Sequence, residues 1–268
     1  MPQVTVLMSV YVRIDPGYLE KAIASILAQT FDDFEFTIIA DGRLTSCQQE
    51  TLKRYAAADT RLTILQNDQR RGLSYSMNLG ISLSKSDYVA RMDADDVSLP
   101  ERLEKQIALL EDHKDIEIVG TFVYEIDDAD RIVFRKRLPV GPADLALFLA
   151  KRDPFVHPTV VFRRNVFGKV GLYNQELRTN QDTDLWCRSF IAGARGANIP
   201  EFLYLFRRDK DFFDRRRGYR YAFNVLKLRC GYIRRIGLSF RYYTFPLLEF
   251  PVRVAPEFVT RAMFAVAR

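Results

Sequence analysis

Cysteine is scarce in this chain and a signal segment is missing from its amino end. Cys47, Cys187 and Cys230 are the only cysteines in 268 residues. They are odd in number, far apart and without metal-ligand spacing, so they read as reduced packing residues and not as disulfides or zinc ligands. The amino terminus, MPQVTVLMSV, has no basic segment leading into an apolar signal core, and Val4 to Val10 is too short to span a bilayer. A cytoplasmic chain is the expectation. There is no Gly/Ser tract, internal repeat or low-complexity segment, and 48% of residues are hydrophobic, which excludes a disordered protein. No Gly-rich triphosphate loop follows the first apolar run, where SVYVRIDPG stands instead, and no nucleic-acid recognition motif is present.

What is present alternates between strand and helix. VTVLMSV (4–10), FEFTIIA (34–40), LTILQ (62–66) and YVARM (88–92) are short apolar, β-favouring runs. Between them Leu19, Ala22, Ile23, Ile26 and Leu27 share a helical face, and 51–58 and 73–83 suit the next two crossovers. Strand, helix, strand, three times over, predicts an α/β fold with a mostly parallel sheet, and brings the residues after each strand to one edge. Those residues are Tyr11 and Arg13, then Asp41 and Gly42, then the acidic run after Met92. Further on, a helix is expected over 101–110, strands over 116–126, 131–137, 157–163 and 197–206, and a helical stretch beyond Arg207.

The acidic run is the most informative segment. In YVARMDADDVSLPER, an apolar strand ends in Asp93, Asp95 and Asp96, carboxylates that repel one another and resist burial unless a divalent cation or cationic partner sits among them. The plainer alternative is a solvated acidic turn ahead of a helix that starts near Pro100. A metal at a sheet edge suits a nucleotide diphosphate, because it bridges carboxylate and phosphate oxygens. Proton chemistry then calls for a second acidic group, and QDTDLW (181–186) offers Asp182 and Asp184 at the start of an apolar helical stretch. On spacing alone, Asp182 is equally well a helix cap, worth about 1 kcal/mol.

Six segments in order, SVYVRIDPGYLEKAIASILAQTF, FEFTIIADGRLT, RRGLSYSMNLG, YVARMDADDVSLPERLEKQ, PFVHPTVVFRRNVFGKVGLY and QDTDLWCR, resemble the family 2 inverting glycosyltransferases with a GT-A, Rossmann-like fold. The likeness is greatest to the bacterial exopolysaccharide and capsule branch, including amylovoran-type enzymes. It runs from about Val4 to Arg207, and RRRGYRY beyond also looks like that branch. The resemblance implies transfer of a sugar from a nucleotide-diphosphate donor, a UDP-sugar foremost, to an acceptor hydroxyl with inversion at the anomeric carbon. It implies Mg²⁺ or Mn²⁺ as cofactor.

Carried over by position, Asp95 is the implied metal ligand, Asp93 lies near the donor sugar or ribose, and Asp96 supports either. Asp182 matches the general base. Ser9, Tyr11 and Asp41 align with positions that hold the base and ribose, and Arg13, Arg71, Asn78 and Arg91 complete the implied donor-binding set. His157, Gln181, Asp184 and Trp186 are implied supporting residues. Three departures stand out. The family's frequent DDGS is Ala40, Asp41, Gly42 and Arg43, the acid before the base is Gln181, and Arg70 stands where Asn is common.

Charge divides the chain near Arg207. From there on, 15 Lys/Arg face 5 Asp/Glu and 13 of the 34 aromatics are interleaved among them, while the first 206 residues are net acidic. The expected organisation is a glycosyltransferase domain over 1–206, with a nucleotide-binding half (1–115) and an acceptor-facing half (116–206), and a basic aromatic helical extension over 207–268. Such an extension suits the anionic inner face of the cytoplasmic membrane, where lipid-linked saccharide acceptors live, or else a helical lid packed on the body. No nucleic-acid partner is expected. The competing functions are a sugar-nucleotide nucleotidyltransferase and a nucleic-acid-binding module using the basic tail.

Overall fold

The computed structural model describes residues 1–208 and 217–255. Its first half is the predicted alternation: β1 (Val4–Val10), α1 (Pro16–Leu27), β2 (Phe34–Asp41), α2 (Ser46–Ala58), β3 (Leu62–Asn67), α3 (Leu73–Leu83) and β4 (Tyr88–Asp93). The four strands are parallel neighbours in the order β3-β2-β1-β4. Covered by helices on both faces, β1 and β4 are apolar along nearly their whole length. α1 starts where Asp15 accepts the Gly17 and Tyr18 amides and Pro16 occupies the first turn. α2 begins five residues before the predicted 51, because Thr45 and Gln48 form a reciprocal capping box (2.9 and 3.2 Å) that initiates it at Ser46.

The chain then forms β5 (Val97–Ser98), α4 (Arg102–Asp112), β6 (Ile118–Ile126), β7 (Ile132–Lys136), α5 (Pro142–Leu149), β8 (Val161–Arg163), α6 (Asn165–Val170), α7 (Gln181–Ile191) and β9 (Gly196–Arg207). The strand expected over 157–163 is shorter. His157–Thr159 is a 3₁₀ turn, since Pro158 has no amide to give a ladder and Thr159 turns its hydroxyl back to the Val156 carbonyl. β8 lies antiparallel between β4 and β6, so residues of both expected halves share one nine-stranded sheet. β9 is longer than predicted, twelve residues, because it pairs along β6 on one side and with β5 on the other.

Two apolar clusters sandwich this sheet. Val4, Val6, Met8 and Val10 point to α1, α2 and α4, meeting Ile23, Ile26, Leu52, Leu103 and Ile107. Leu7, Ile39 and Val89 point the other way, toward α3, α5, α6 and α7, where Trp186 is fully buried. The period of two in the strands against 3.6 in the helices fixes which side chain enters which layer.

Beyond residue 217, α8 (Tyr219–Ile236) ends at Gly237 in left-handed backbone (φ 73°), and a 3₁₀ turn (Phe240–Tyr243) leads into α9 (Thr244–Val254). α8 buries Val225, Tyr232 and Ile233, and the Tyr232 hydroxyl donates to the Ala146 carbonyl of α5 at 2.8 Å. Arg215 and Arg216 of the RRRGYRY segment, and residues 256–268 of the expected extension, lie outside the described residues. Among the described residues, no helix is long and apolar enough to cross a membrane.

Gly120 shows how tightly the centre is packed. A Cβ there would lie 2.3 Å from Asn198 Oδ1 and 2.9 Å from Phe155 Cδ1, and Asn198 is itself held by the Pro139 and Pro154 carbonyls. Gly120→Ala is therefore expected to destabilise the fold by about 1–3 kcal/mol, read as a lowered urea midpoint with an unchanged m-value.

Candidate active site

Parallel register lines up the carboxyl ends of four strands. Ser9 lies abreast of Asp93 across β1 and β4, and Asp41 abreast of Asn67 across β2 and β3. In the turn after β4, Asp93, Asp95 and Asp96 each offer an oxygen, all within 4.8 Å of one another. Two arginines brace them. Arg91 Nη2 donates to Asp93 Oδ1 at 2.5 Å, and from β9 the Arg207 amide donates to Asp96 Oδ1 at 2.6 Å while its Nε donates to the Asp95 carbonyl at 2.8 Å. Asp96 is 1% exposed and its Oδ2 has no hydrogen-bond partner. Burial, then the charges of Asp95 and Asp93, push its pKa well above the usual carboxylate range. An orphaned buried oxygen beside two further carboxylates is the donor set a hard divalent cation accepts, so the residues present fit Mg²⁺ or Mn²⁺.

Arg207 corrects one expectation. Composition marks it as the opening of a basic extension, yet it closes β9 and is 4% exposed. Its remaining nitrogens reach the Asp127 carbonyl (2.8 Å) and Asp130 (2.6 Å), and its guanidinium lies 3.9 Å over the Tyr18 ring. Arg102 does similar work beneath the turn. Fully buried, it donates to Ser98 Oγ at 2.7 Å and to the Arg91 and Thr159 carbonyls, and burial draws its pKa down to about 10. Sequence reasoning passed over both, because an arginine at a strand end or helix start usually reads as solvated.

On the nucleotide side two expected donor contacts turn inward. Asp41 is 4% exposed; Oδ1 accepts the Arg71 amide (2.8 Å) and Asn67 (3.0 Å), and Oδ2 accepts the Gly72 amide (2.8 Å). Its carboxylate secures the loop entering α3. Gly42 permits this approach, with φ 83° and a virtual Cβ only 2.8 Å from the Arg70 amide. Asn78 is buried with both ends of its amide on the Tyr173 backbone (2.8 and 2.9 Å), so it braces that segment and does not face a donor. Ser9 and Tyr11 are half-buried, Arg13 and Arg71 exposed. Arg70, standing where Asn is common, lies 4.7 Å over the Tyr11 ring, and Arg71 lies 4.5 Å over Tyr75.

On the opposite side α7 begins after Asn180, which takes left-handed backbone (φ 63°). Asp182 is in the first turn, half-buried, with Oδ1 accepting the Thr183 amide at 2.9 Å, and Gln181 is its half-buried neighbour. Asp184 is instead spent on Arg188 (2.8 Å), which also donates to the Leu172 carbonyl, so its expected support of the site is structural. Trp186 is likewise a core residue. It is stacked on Phe162 and meets the His157 ring edge-on at 5.8 Å. His157 Nε2 and the Tyr173 hydroxyl are 2.8 Å apart, and burial followed by the charge of Arg91 holds the imidazole pKa well below 6.5. The imidazole is therefore neutral near pH 7. Tyr173 was not singled out from the sequence although it ends the segment GKVGLY. Burial raises its hydroxyl pKa, and Arg91, Asp182 and Asp93 all act on it, so it stands in electrostatic reach of both the acidic edge and the α7 terminus.

The family model described as glycosyl transferase family 2 matches residues 5–171. The chain is 35% identical over 247 residues to EpsE of Bacillus subtilis (strain 168), covering 91% of this chain and 86% of that one. It is 33% identical to the amylovoran biosynthesis glycosyltransferase AmsE of Erwinia amylovora, covering 84% and 83%. It is 29% identical to the UDP-Gal:alpha-D-GlcNAc-diphosphoundecaprenol beta-1,3-galactosyltransferase of Escherichia coli, covering 90% and 86%. Among solved structures, the mannosyltransferase PcManGT of Pyrobaculum calidifontis in complex with GDP-Man and Mn²⁺ superposes with a TM-score of 0.69 at 17% identity, covering 99% of this chain and 75% of that one. S. aureus TarS 1-349 in complex with UDP does so with a TM-score of 0.67 at 15% identity, covering 94% and 71%. With the acidic edge of its parallel sheet and a match over most of its length, the chain belongs to glycosyl transferase family 2 and is a glycosyltransferase of the GT-A fold.

Proposed function

We propose that this glycosyltransferase moves a sugar from a nucleotide-diphosphate donor, a UDP-sugar foremost, to a hydroxyl of a growing lipid-linked bacterial polysaccharide, inverting the anomeric centre in one displacement. The observation that carries the reading is the Asp93–Asp95–Asp96 cluster at the carboxyl end of β4, with Asp182 in the first turn of α7 as the second acidic group and the charges of Asp93 and Asp182 both acting on Tyr173. The named activities of the amylovoran and galactosyl relatives support the polymer and the lipid-diphosphate acceptor, and the UDP in TarS supports the donor class.

Asp95, supported by Asp96, would hold Mg²⁺ or Mn²⁺, which when bound neutralises the donor diphosphate. Asp182 takes the acceptor hydroxyl proton as that oxygen bonds to the anomeric carbon, and the bond from that carbon to the diphosphate oxygen breaks with its electron pair leaving on the nucleotide. The Arg91 ion pair holds the Asp93 carboxylate in place. The neutral His157–Tyr173 pair offers hydrogen bonds beside the acceptor without competing for the proton.

The outer face of α8 and α9 supports contact with the inner face of the cytoplasmic membrane. Phe240 (82% exposed) and Leu248 (70%) stand out with Tyr219, Phe223 and Leu247 beside exposed Arg220, Lys227, Arg234, Arg235 and Arg241. Apolar rings at headgroup level and cations near anionic lipid, each worth about 1 kcal/mol, favour such a surface.

Calorimetry with UDP, GDP, CMP and dTDP, each with Mn²⁺ or a chelator, is expected to give tight, metal-dependent binding of UDP that Asp95→Ala abolishes; binding equal in chelator would refute the metal assignment. Asp182→Asn is expected to lower kcat by about 10²–10⁴ while UDP affinity stays within about twofold, and a fully active variant would overturn the base. Paired Phe240→Asp and Leu248→Asp are expected to release the protein from phosphatidylglycerol vesicles in a flotation assay, whereas undiminished flotation would remove the membrane reading.

A further inference from the structure

Arg229 lies in the middle of α8 and is 2% exposed. Its Nη1 donates to the Lys151 carbonyl at 2.5 Å and pairs with Glu249 of α9, its Nη2 lies 3.6 Å from Asp153 Oδ1, and its Nε is buried without a partner. Glu249 is held in turn by Arg253 Nε at 2.7 Å. A guanidinium at this depth is tolerated only while its carboxylates stay in place. Packing alone does not call for it, since α8 already docks through Tyr232 and Ile233.

The carboxylate that Arg229 approaches has a second task. Asp153 Oδ1 also accepts the Thr183 hydroxyl at 2.8 Å. Thr183 is 1% exposed and follows Asp182, whose Oδ1 takes the Thr183 amide. α7 has no side-chain cap at its own amino end, where Asn180 adopts left-handed backbone. The first turn of α7 is therefore secured by Asp153, from another segment, at the helix end where negative charge is favoured. Asp153 keeps 31% of its side chain exposed, so without the Arg229 charge its hold on the Thr183 hydroxyl competes with water on that exposed side.

We propose that Arg229 is a positioning residue for the transfer reaction. By holding Asp153 it fixes Thr183, and through the Thr183 amide it sets the carboxylate of Asp182, so that α8 and α9 tune the base besides any role at a membrane. The inference rests on Asp182 being the general base. It separates the two sides of the site, because the acidic edge is braced by Arg91 and Arg207 and makes none of these contacts.

The full chain is compared with Arg229→Met, Arg229→Lys and Thr183→Val, using nucleotide release from the sugar nucleotide that calorimetry selects, UDP–Mn²⁺ affinity, and a ¹³C NMR titration of the Asp182 carboxyl. Arg229→Met and Thr183→Val are expected to lower kcat by about tenfold or more, leave donor KM and UDP affinity within about twofold, and move the Asp182 titration by about half a unit or more. Arg229→Lys is expected to recover part of both losses. If Arg229→Met does not fold, Thr183→Val decides alone, since it leaves no charge unpaired. Unchanged kcat and an unmoved Asp182 titration in Thr183→Val overturn the proposal, whereas activity retained in Asp182→Asn overturns the base assignment beneath it.

Discussion

Three carboxylates at the end of one buried strand repel each other, and the surrounding chain is organised to contain that repulsion. Arg91 meets Asp93 from within β4, Arg207 meets Asp96 and the Asp95 carbonyl from β9, and Arg102 supports the turn from the start of α4. The compensation is incomplete, since Asp96 keeps a buried oxygen without a partner and a raised pKa. That residual tension is of the kind a divalent cation relieves. Removing one partner of such a buried pair typically costs about 3–5 kcal/mol, so these arginines are as much part of the fold as of the site.

The same economy operates on either side of the acidic turn. Asp41 spends both oxygens on the loop entering α3, and α3 returns Asn78 to grip the Tyr173 backbone. Tyr173 in turn holds His157. Groups that the family resemblance would aim at the donor thus also brace the loops around the strand ends. The Arg70 guanidinium lies over the Tyr11 ring beside this edge, a cation–aromatic contact that the sequence did not announce.

Around the start of α7, buried charge again links elements distant in sequence. Asp184 is consumed by Arg188, and Asp153 is shared between α7 and the Arg229 of α8. Two neighbouring acidic residues on one helix turn therefore differ in role for a geometric reason. Asp184 pairs with Arg188 four residues on, while Asp182 lies in the first turn and takes the Thr183 amide.

The order of residues by itself determined the α/β alternation, the parallel first half, the edge on which strand ends converge, and the acidic turn, because period-two apolar runs and like-charge clusters are local signals. The family likeness of its six segments was equally legible. Capping at Thr45 and the 3₁₀ turn at His157 were legible in principle from Thr45-x-x-Gln48 and from Pro158, and shifted only boundaries. Only tertiary structure decided that β8 inserts between β4 and β6, that Arg207 belongs to the acidic edge, and that Asn78 and Asp41 face inward. Each of these depends on pairing between residues 30 to more than 100 positions apart, and no local pattern encodes which buried charge will find which partner.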